Sequence, residues 1–146
     1  NWLAKGVRSP SSSMVITPHP GEAGRLLNSS AGEIQRDRLG AVSTLASNTK
    51  ATTLLKGNHT LILTSGRPLS INPTGNPGMA TPGMGDVLSG VIGALLCQGL
   101  DSHDAAVAGV YWHGFAADNC GATGYLASDV AHALPATRAK MLSLCG

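Results

Sequence analysis

The glycine- and proline-rich segment at residues 72–86 contains the residues of this chain that are best suited to bind a ligand and act on it chemically. Its small residues leave successive backbone N–H groups uncovered, and it leads directly into an apolar helical pattern. The first N–H groups of a helix lack partners and lie at the positive end of the helix dipole, so together they attract anions. Asp86 adds one carboxylate at this junction. Because a carboxylate repels phosphate, we expect it to act as the base that deprotonates the group attacking the phosphorus.

The helix that follows this segment is predicted over residues 83–98. Its apolar residues recur at the spacing of one helical face, and they are Val87, Leu88, Val91, Ile92, Leu95 and Leu96. Gly99 after Gln98 is typical of a helix C-terminus. A glycine-rich segment by itself is more often a surface turn. A buried helix attached to it would hold the N–H groups rigidly, and this favours an anion site.

Two shorter polar segments are further candidates for ligand contacts. The sequence Lys56-Gly57-x-x-Thr60 offers an ammonium, a permissive glycine and a hydroxyl, which suit a nucleotide phosphate or ribose. Taken alone, it is more often a plain hairpin turn. His19 and Glu22, in the sequence HPGE, follow a predicted strand at the end where α/β proteins gather ligands. They could orient a polar substrate, and the alternative is a turn that starts a helix.

Other polar residues have less specific interpretations. His113 lies in a predicted helix with several aromatic residues, where a packed helix with one polar histidine is the favoured interpretation. His103 and His132 are expected at the surface, and Asp118 is a candidate for a loop contact. The sequence contains neither a Walker A motif nor a Ser/His/Asp signature. Nucleophilic hydrolysis is therefore not indicated.

The elements that must position these residues alternate in a pattern that predicts an α/β layer. Strands are predicted at residues 14–17, 52–55, 61–63 and 69–72. Helices are predicted at residues 23–27, 30–47, 83–98 and 101–117, with further helix starts at Ser128 and Pro135. Ser30 and Glu33 form the sequence pattern of a capping box, which places one of these starts.

Length and composition limit the function classes. A chain of 146 residues is enough for one compact domain. A formal charge of +2 without a basic run argues against nucleic acid, and no apolar run is long enough for a membrane span. The three cysteines, Cys97, Cys120 and Cys145, lie far apart without metal-ligand spacing. We therefore expect reduced thiols in a cytoplasmic protein.

Four segments occur in the order and spacing of one family: TPHPGE at 17–22, LKGxxT at 55–60, NPGMATxGMGD at 76–86 and GVYxHG at 109–114. On these segments the chain resembles the ADP/ATP-dependent NAD(P)H-hydrate dehydratases of the ribokinase-like superfamily. The resemblance implies a ribokinase-like three-layer α/β fold, of which residues 1–146 form the C-terminal portion of a single domain. Residues 1–3 resemble the continuation of a family turn, so we expect the N-terminal half of the domain to be absent from this chain.

The resemblance also implies an activity. The enzymes of this family phosphorylate the ring hydroxyl of hydrated NADH or NADPH with ADP or ATP, and loss of phosphate restores the cofactor. Asp86 would be the base and, with His19, would contact the hydrated dinucleotide. The phosphoryl group would bind Gly83, Met84 and Gly85. The nucleotide would bind Lys56, Gly57, Asn58, His59, Thr60 and Gly85. Mg²⁺ would bridge the phosphates, with protein ligands that the sequence does not identify.

This chain departs from the family pattern at two places. Pro82 stands where glycine is usual, which stiffens the loop and removes a donor. Asn58 and His59 replace a smaller pair. Two alternatives stay open: a related kinase of a small alcohol, which would use the same loop and base, and a catalytically silent fragment or assembly module. Because half of a sheet leaves exposed edges, we expect a homo-oligomer or a companion chain that supplies the missing half.

Overall fold

A computed structural model describes residues 14–144. Four strands form one sheet in the order β1-β2-β3-β4, and six helices accompany it. The strands are Val15–Ile16 (β1), Thr52–Leu55 (β2), Leu61–Leu63 (β3) and Ser70–Ile71 (β4). The helices are Pro20–Leu27 (α1), Ala31–Arg36 (α2), Arg38–Thr49 (α3), Met84–Cys97 (α4), Ser102–Cys120 (α5) and Ala127–Leu144 (α6). A short 3-10 helix covers Pro77–Met79.

The sheet is mixed. Strand β1 pairs with β2 in parallel, while β2–β3 and β3–β4 are antiparallel, with Leu55 opposite Leu61 and Leu61 opposite Ile71. The hairpin-like strands predicted from the sequence are therefore confirmed. The β2–β3 connection is the lysine-containing segment 56–60, and the strand β4 leads into the glycine-rich segment. Both candidate ligand segments thus leave the same small sheet.

Helices cover both faces of this sheet. On one face, residues of α1, α2 and α3 pack with Leu55 and Leu61, and this core includes Ala23, Ile34, Val42 and Leu45. On the other face, Leu54 and Ile62 pack against α4 and α5, with Leu88, Ile92, Ala105, Ala106 and Val110. Because neighbouring residues of a strand point to opposite faces, the run TTLL of β2 serves both cores and is buried throughout. The result is a three-layer α/β arrangement, as predicted.

The helix predicted over residues 30–47 is two helices. Its start is correct, since Ser30 and Glu33 form the capping box of α2. The helical conformation is interrupted at Asp37, which has φ −133° and ψ 73° and ends α2. Its carboxylate accepts a hydrogen bond of 2.8 Å from the N–H of Gly40 and so caps α3. Aspartate competes in this way with the helical backbone, and the sequence interpretation overlooked it.

The helix predicted to start at Ser128 is present with its cap displaced, whereas the separate helix predicted at Pro135 is wrong. A single helix, α6, begins at Ala127 and contains Pro135. The N–H of Leu126 donates to the Asp129 carboxylate at 2.7 Å, so the cap lies two residues before Ser128. Proline removes the backbone donor that would bond the carbonyl of residue 131, yet the helix continues through it. Trp112 Nε1 and Thr137 Oγ1 both donate to the adjacent carbonyl of Leu134.

His103 is buried, contrary to the surface position that was predicted. Its Nδ1 lies 2.9 Å from Thr64 Oγ1. Thr64 in turn bonds Thr52, and Thr52 bonds Ser102, each at 2.8 Å. These hydroxyl groups satisfy one another where α5 begins against the sheet. His132 is exposed on α6, as predicted.

Three further observations concern the described residues. Between residues 14 and 144, no helix combines the length and the apolar character that crossing a membrane requires. Cys97 and Cys120 are free thiols. Cys145 and the segment at residues 1–3 lie outside the described part of the chain.

Candidate active site

A cavity of about 610 Å³ lies where the lysine segment, the glycine-rich segment and helices α4 and α5 meet. The lysine segment contributes Lys56, Gly57, Asn58, His59 and Thr60, and the glycine-rich segment contributes residues 72, 74–77, 79 and 80. The helices contribute Met84, Gly85, Leu88, Val110, His113 and Gly114. A cavity of this size matches a drug-sized or nucleotide-sized ligand.

The glycine-rich segment is held by the end of α5 and the start of α6. The N–H of Gly75 donates to the Asp118 carboxylate at 2.9 Å, and Asn76 Nδ2 donates to the same carboxylate at 3.1 Å. The Tyr125 hydroxyl donates to Asn76 Oδ1 at 2.7 Å. The loop contact expected of Asp118 is therefore confirmed. These bonds fix a segment whose composition would otherwise leave it flexible.

Close backbone contact joins the same segment to α5. A Cβ atom on Gly114 would lie 2.3 Å from Thr74 Oγ1 and 2.7 Å from the Thr74 carbonyl carbon. Only glycine permits this approach. Thr74 Oγ1 also lies 3.0 Å from the carbonyl oxygen of Tyr111 and donates to it. Helix α5 thus forms one rigid wall of the cavity.

Helix α4 starts at the cavity, as the sequence predicted. Gly83 precedes it with φ +90°, a conformation that favours glycine, and no described side chain caps this end. Met84 and Gly85 line the cavity. The N–H of Met84 makes a long bond of 3.4 Å to the Thr81 carbonyl, and the N–H of Asp86 bonds the Gly83 carbonyl at 3.0 Å. These two N–H groups are thus already bonded within the chain, and the helix start turns the positive end of its dipole to the cavity.

Lys56 links the two candidate phosphate segments. A Cβ atom on Gly85 would lie 3.1 Å from Lys56 Nζ, so the ammonium sits directly against the first turn of α4. The same ammonium lies 3.8 Å from the Glu22 carboxylate. The backbone N–H of Lys56 donates to the carbonyl of Pro18 at 2.9 Å. The HPGE segment therefore adjoins the lysine that lines the cavity.

His19 forms the N-cap of α1. Its Nδ1 accepts from the N–H groups of Gly21 and Glu22 at 3.1 and 3.3 Å, while the Glu22 carboxylate accepts from the N–H of His19 at 2.8 Å. The helix-starting turn that was left open as an alternative is therefore correct. Because Nδ1 is an acceptor, the neutral ring carries its proton on Nε2. That atom lies 3.5 Å from Glu22, and the ring is half exposed.

His113 is buried in the wall of the cavity. It is 3% exposed, and its Nε2 has no hydrogen-bond partner among the described residues. Burial, and secondarily the charge of Lys56, lowers the pKa of His113 from 6.5 to about 4. The predicted packing of His113 within the helix layer is confirmed by this burial. The unpartnered nitrogen makes it in addition a candidate ligand contact that the sequence did not single out.

Most of the predicted site residues come together. Lys56, Gly57, Asn58, His59, Thr60, Met84 and Gly85 all line the cavity. Gly83, Asp86 and His19 lie outside its lining, and the side chain of Asp86 is exposed in the first turn of α4. Their predicted roles stay predictions. Sequence reasoning left Arg38 open to either solvent or site duties, and in the structure it donates to backbone carbonyls of the lysine segment.

The described residues do not fit a metal held by the protein alone. Between residues 14 and 144, no cluster of three or more histidine, cysteine or acidic side chains could hold a metal ion. Oxygen ligands are what Mg²⁺ requires, and it often keeps several waters and binds through substrate phosphates. Binding through the phosphates of a nucleotide is the mode of magnesium binding that suits this cavity.

Known proteins match both the sequence and the fold. The ADP-dependent (S)-NAD(P)H-hydrate dehydratase of Neisseria meningitidis serogroup B is 43% identical over 136 residues, which are 90% of this chain and 45% of the relative. The ADP/ATP-dependent NAD(P)H-hydrate dehydratase of Bacillus subtilis, co-crystallized with ATP/Mg²⁺, superposes with a TM-score of 0.85 at 31% identity. That match covers 92% of this chain and 50% of the other.

A ribokinase-like superfamily protein of Enterococcus faecalis V583 superposes with a TM-score of 0.81 at 28% identity, over 95% of this chain and 49% of the other. The chain spans about half the length of these three relatives. It has the ribokinase-like fold that the sequence predicted. A family model described as NAD(P)H-hydrate dehydratase matches residues 2–138. The chain therefore belongs to the NAD(P)H-hydrate dehydratase family.

Proposed function

We propose that this chain carries the nucleotide site and the catalytic base of a nucleotide-dependent NAD(P)H-hydrate dehydratase. The ring hydroxyl of hydrated NADH or NADPH attacks the terminal phosphorus of ADP or ATP. The new O–P bond forms as the bond to the leaving AMP or ADP breaks. The ring nitrogen lone pair then expels phosphate, and loss of a proton from the neighbouring carbon restores the double bond. The products are NAD(P)H, inorganic phosphate, the shortened nucleotide and a proton.

The convergence of Lys56, the start of α4 and the segment 56–60 on one cavity carries this proposal. An ammonium against the first turn of a helix neutralises a transferring phosphoryl group from two sides. The backbone of the segment 56–60 and the cavity wall accommodate the remainder of the nucleotide. The Mg²⁺ ion arrives with the nucleotide as part of the substrate, where it supplies further charge neutralisation to the phosphates.

The acceptor approaches from outside the nucleotide cavity. Asp86 follows Gly85 directly but is exposed, so its carboxylate is accessible to a hydroxyl of a second substrate. The HPGE segment adjoins Lys56 through Glu22, and the half-exposed ring of His19 has its Nε2 3.5 Å from the Glu22 carboxylate. In this arrangement the donor phosphate contacts both the Lys56 ammonium and the helix start beside it. Asp86 removes the proton, and His19 contacts the hydrated dinucleotide.

The test follows the recovery of NADH absorbance when the complete gene product receives hydrated NADH with ADP/Mg²⁺ or ATP/Mg²⁺. Asp86→Asn removes the base, and loss of general base catalysis lowers kcat roughly 10²–10⁴-fold. Asp104→Asn is the matched control, because Asp104 also lies in the first turn of a helix, α5. We expect the control to keep full activity.

Three results would contradict the proposal. Absence of nucleotide-dependent recovery in the unmodified protein would exclude the dehydratase activity. Equal activity in Asp86→Asn and Asp104→Asn would exclude the role of Asp86. A stable phosphorylated product in place of free phosphate would identify a kinase.

A further inference from the structure

Arg38 binds the backbone of the nucleotide segment without lining the cavity. It is the first residue of α3, and its side chain is partly buried. Its Nη2 donates to the carbonyls of Leu55 and His59 at 3.2 and 3.1 Å, and its Nη1 donates to the carbonyl of Asn58. One guanidinium therefore donates hydrogen bonds to three carbonyl groups within a segment of five residues.

These bonds orient the peptide groups of the segment. No described peptide bond is cis, and in a trans peptide the N–H points opposite to the C=O. Since the carbonyls of Asn58 and His59 point to Arg38, the N–H groups of His59 and Thr60 point away from it. His59 and Thr60 both line the cavity, whereas Arg38 does not.

The conformation of the segment requires such support. His59 has φ +55°, a left-handed conformation that costs a non-glycine residue about 1–2 kcal/mol. Gly57 has φ +144°, and a Cβ atom there would lie 3.1 Å from Arg38 Nη2. The guanidinium therefore packs directly over the segment. A strained loop conformation persists only where the surrounding residues enforce it, and such conformations are frequent at ligand sites.

The guanidinium is retained at an energetic cost. Its Nε is buried and has no partner among the described residues, and burial lowers the pKa of Arg38. A buried donor without a partner is unfavourable. Lysine would carry the same charge on a single nitrogen, and it could not reach three carbonyls as a planar fork does.

We propose that Arg38 is a positioning residue for the nucleotide: it fixes the peptide groups at residues 58–60 so that their N–H groups meet the bound nucleotide. This inference rests on the nucleotide site of the proposed function. It adds a residue outside the cavity that sets nucleotide affinity without touching the reacting atoms. The chemical step itself is not expected to depend on it.

The experiment measures calorimetric Kd values for ADP and ATP, with Mg²⁺, and steady-state kinetics on the complete gene product. Arg38→Lys and Arg38→Gln are compared with Arg36→Lys, because Arg36 is exposed and its Nε donates only within its own helix, to the Gly32 carbonyl. If the misplaced N–H groups cost the nucleotide about 1.4 kcal/mol of hydrogen bonding, Kd rises about tenfold. We expect this rise in both Arg38 variants, an unchanged kcat at saturating nucleotide, and wild-type values in Arg36→Lys.

The possible outcomes separate this inference from the proposed function. Wild-type protein that binds neither ADP nor ATP would overturn the nucleotide site itself. Wild-type binding with equal affinity in the Arg38 variants would overturn the positioning role alone. Arg38→Ala with added guanidinium chloride, below denaturing concentrations, provides a further measurement. Partial recovery of affinity supports the role, whereas a folded variant with weak binding and no recovery contradicts it.

Discussion

Replacement of His113 by glutamine should alter how the stability of this protein depends on pH. The pKa of this buried histidine falls from 6.5 to about 4 on folding, chiefly through burial and secondarily through the charge of Lys56. Between these values the unfolded chain binds a proton that the folded chain does not. Stability linked to His113 is therefore fully present above pH 6.5 and is lost as the pH falls towards 4.

The magnitude follows from the two pKa values. Their difference, 6.5 minus about 4, corresponds to on the order of 3 kcal/mol. Urea denaturation of wild-type protein and His113→Gln at steps between pH 7 and pH 4 measures it. We expect the wild type to lose on the order of 3 kcal/mol relative to the variant across this range. His132→Gln, on the exposed side of α6, is the matched control and should not reproduce this difference.

A constant difference between wild type and His113→Gln across this range would refute the reasoning. It would mean that the histidine is as free to take up a proton in the folded state as in the unfolded chain. The buried, unpartnered Nε2 would then have access to solvent or to a partner acquired in solution.

Two further predictions concern the contacts that hold the glycine-rich segment. Gly114→Ala places a Cβ atom 2.3 Å from Thr74 Oγ1 and should lower the free energy of unfolding by about 1–3 kcal/mol. The control, Gly90→Ala, has open space around it in α4 and should raise the free energy of unfolding by about 0.5–1 kcal/mol. Equal denaturation midpoints for the two variants would contradict the close contact. Tyr125→Phe removes the bond to the segment and should cost about 1 kcal/mol by urea denaturation, and the exposed Tyr111→Phe should cost nothing measurable. A loss in both tyrosine variants would disprove the specific role of that bond.

Several features of the fold could be predicted because local physics determines them. The run TTLL, the start of α4 after Gly83 and the Ser30 capping box all follow from apolar pattern, glycine conformation and side-chain capping. The errors arise where tertiary contacts override such a local rule. Pro135 disfavours an isolated helix, but α6 continues through it where it packs along α5, and Trp112 of α5 donates to the carbonyl of Leu134 beside it.

Sequence alone predicted an anion site, since an uncapped helix start after a glycine-rich segment attracts anions wherever it lies. Only the tertiary structure decided which residues share the cavity. Lys56 and Gly85 are far apart in sequence, and they meet because α4 packs on the sheet beside the β2–β3 connection. The burial of His113 and the bonds of Arg38 to the segment 55–59 likewise depend on neighbours from other elements. No spacing along the chain encodes them, because burial and long-range contacts arise only when the layers pack.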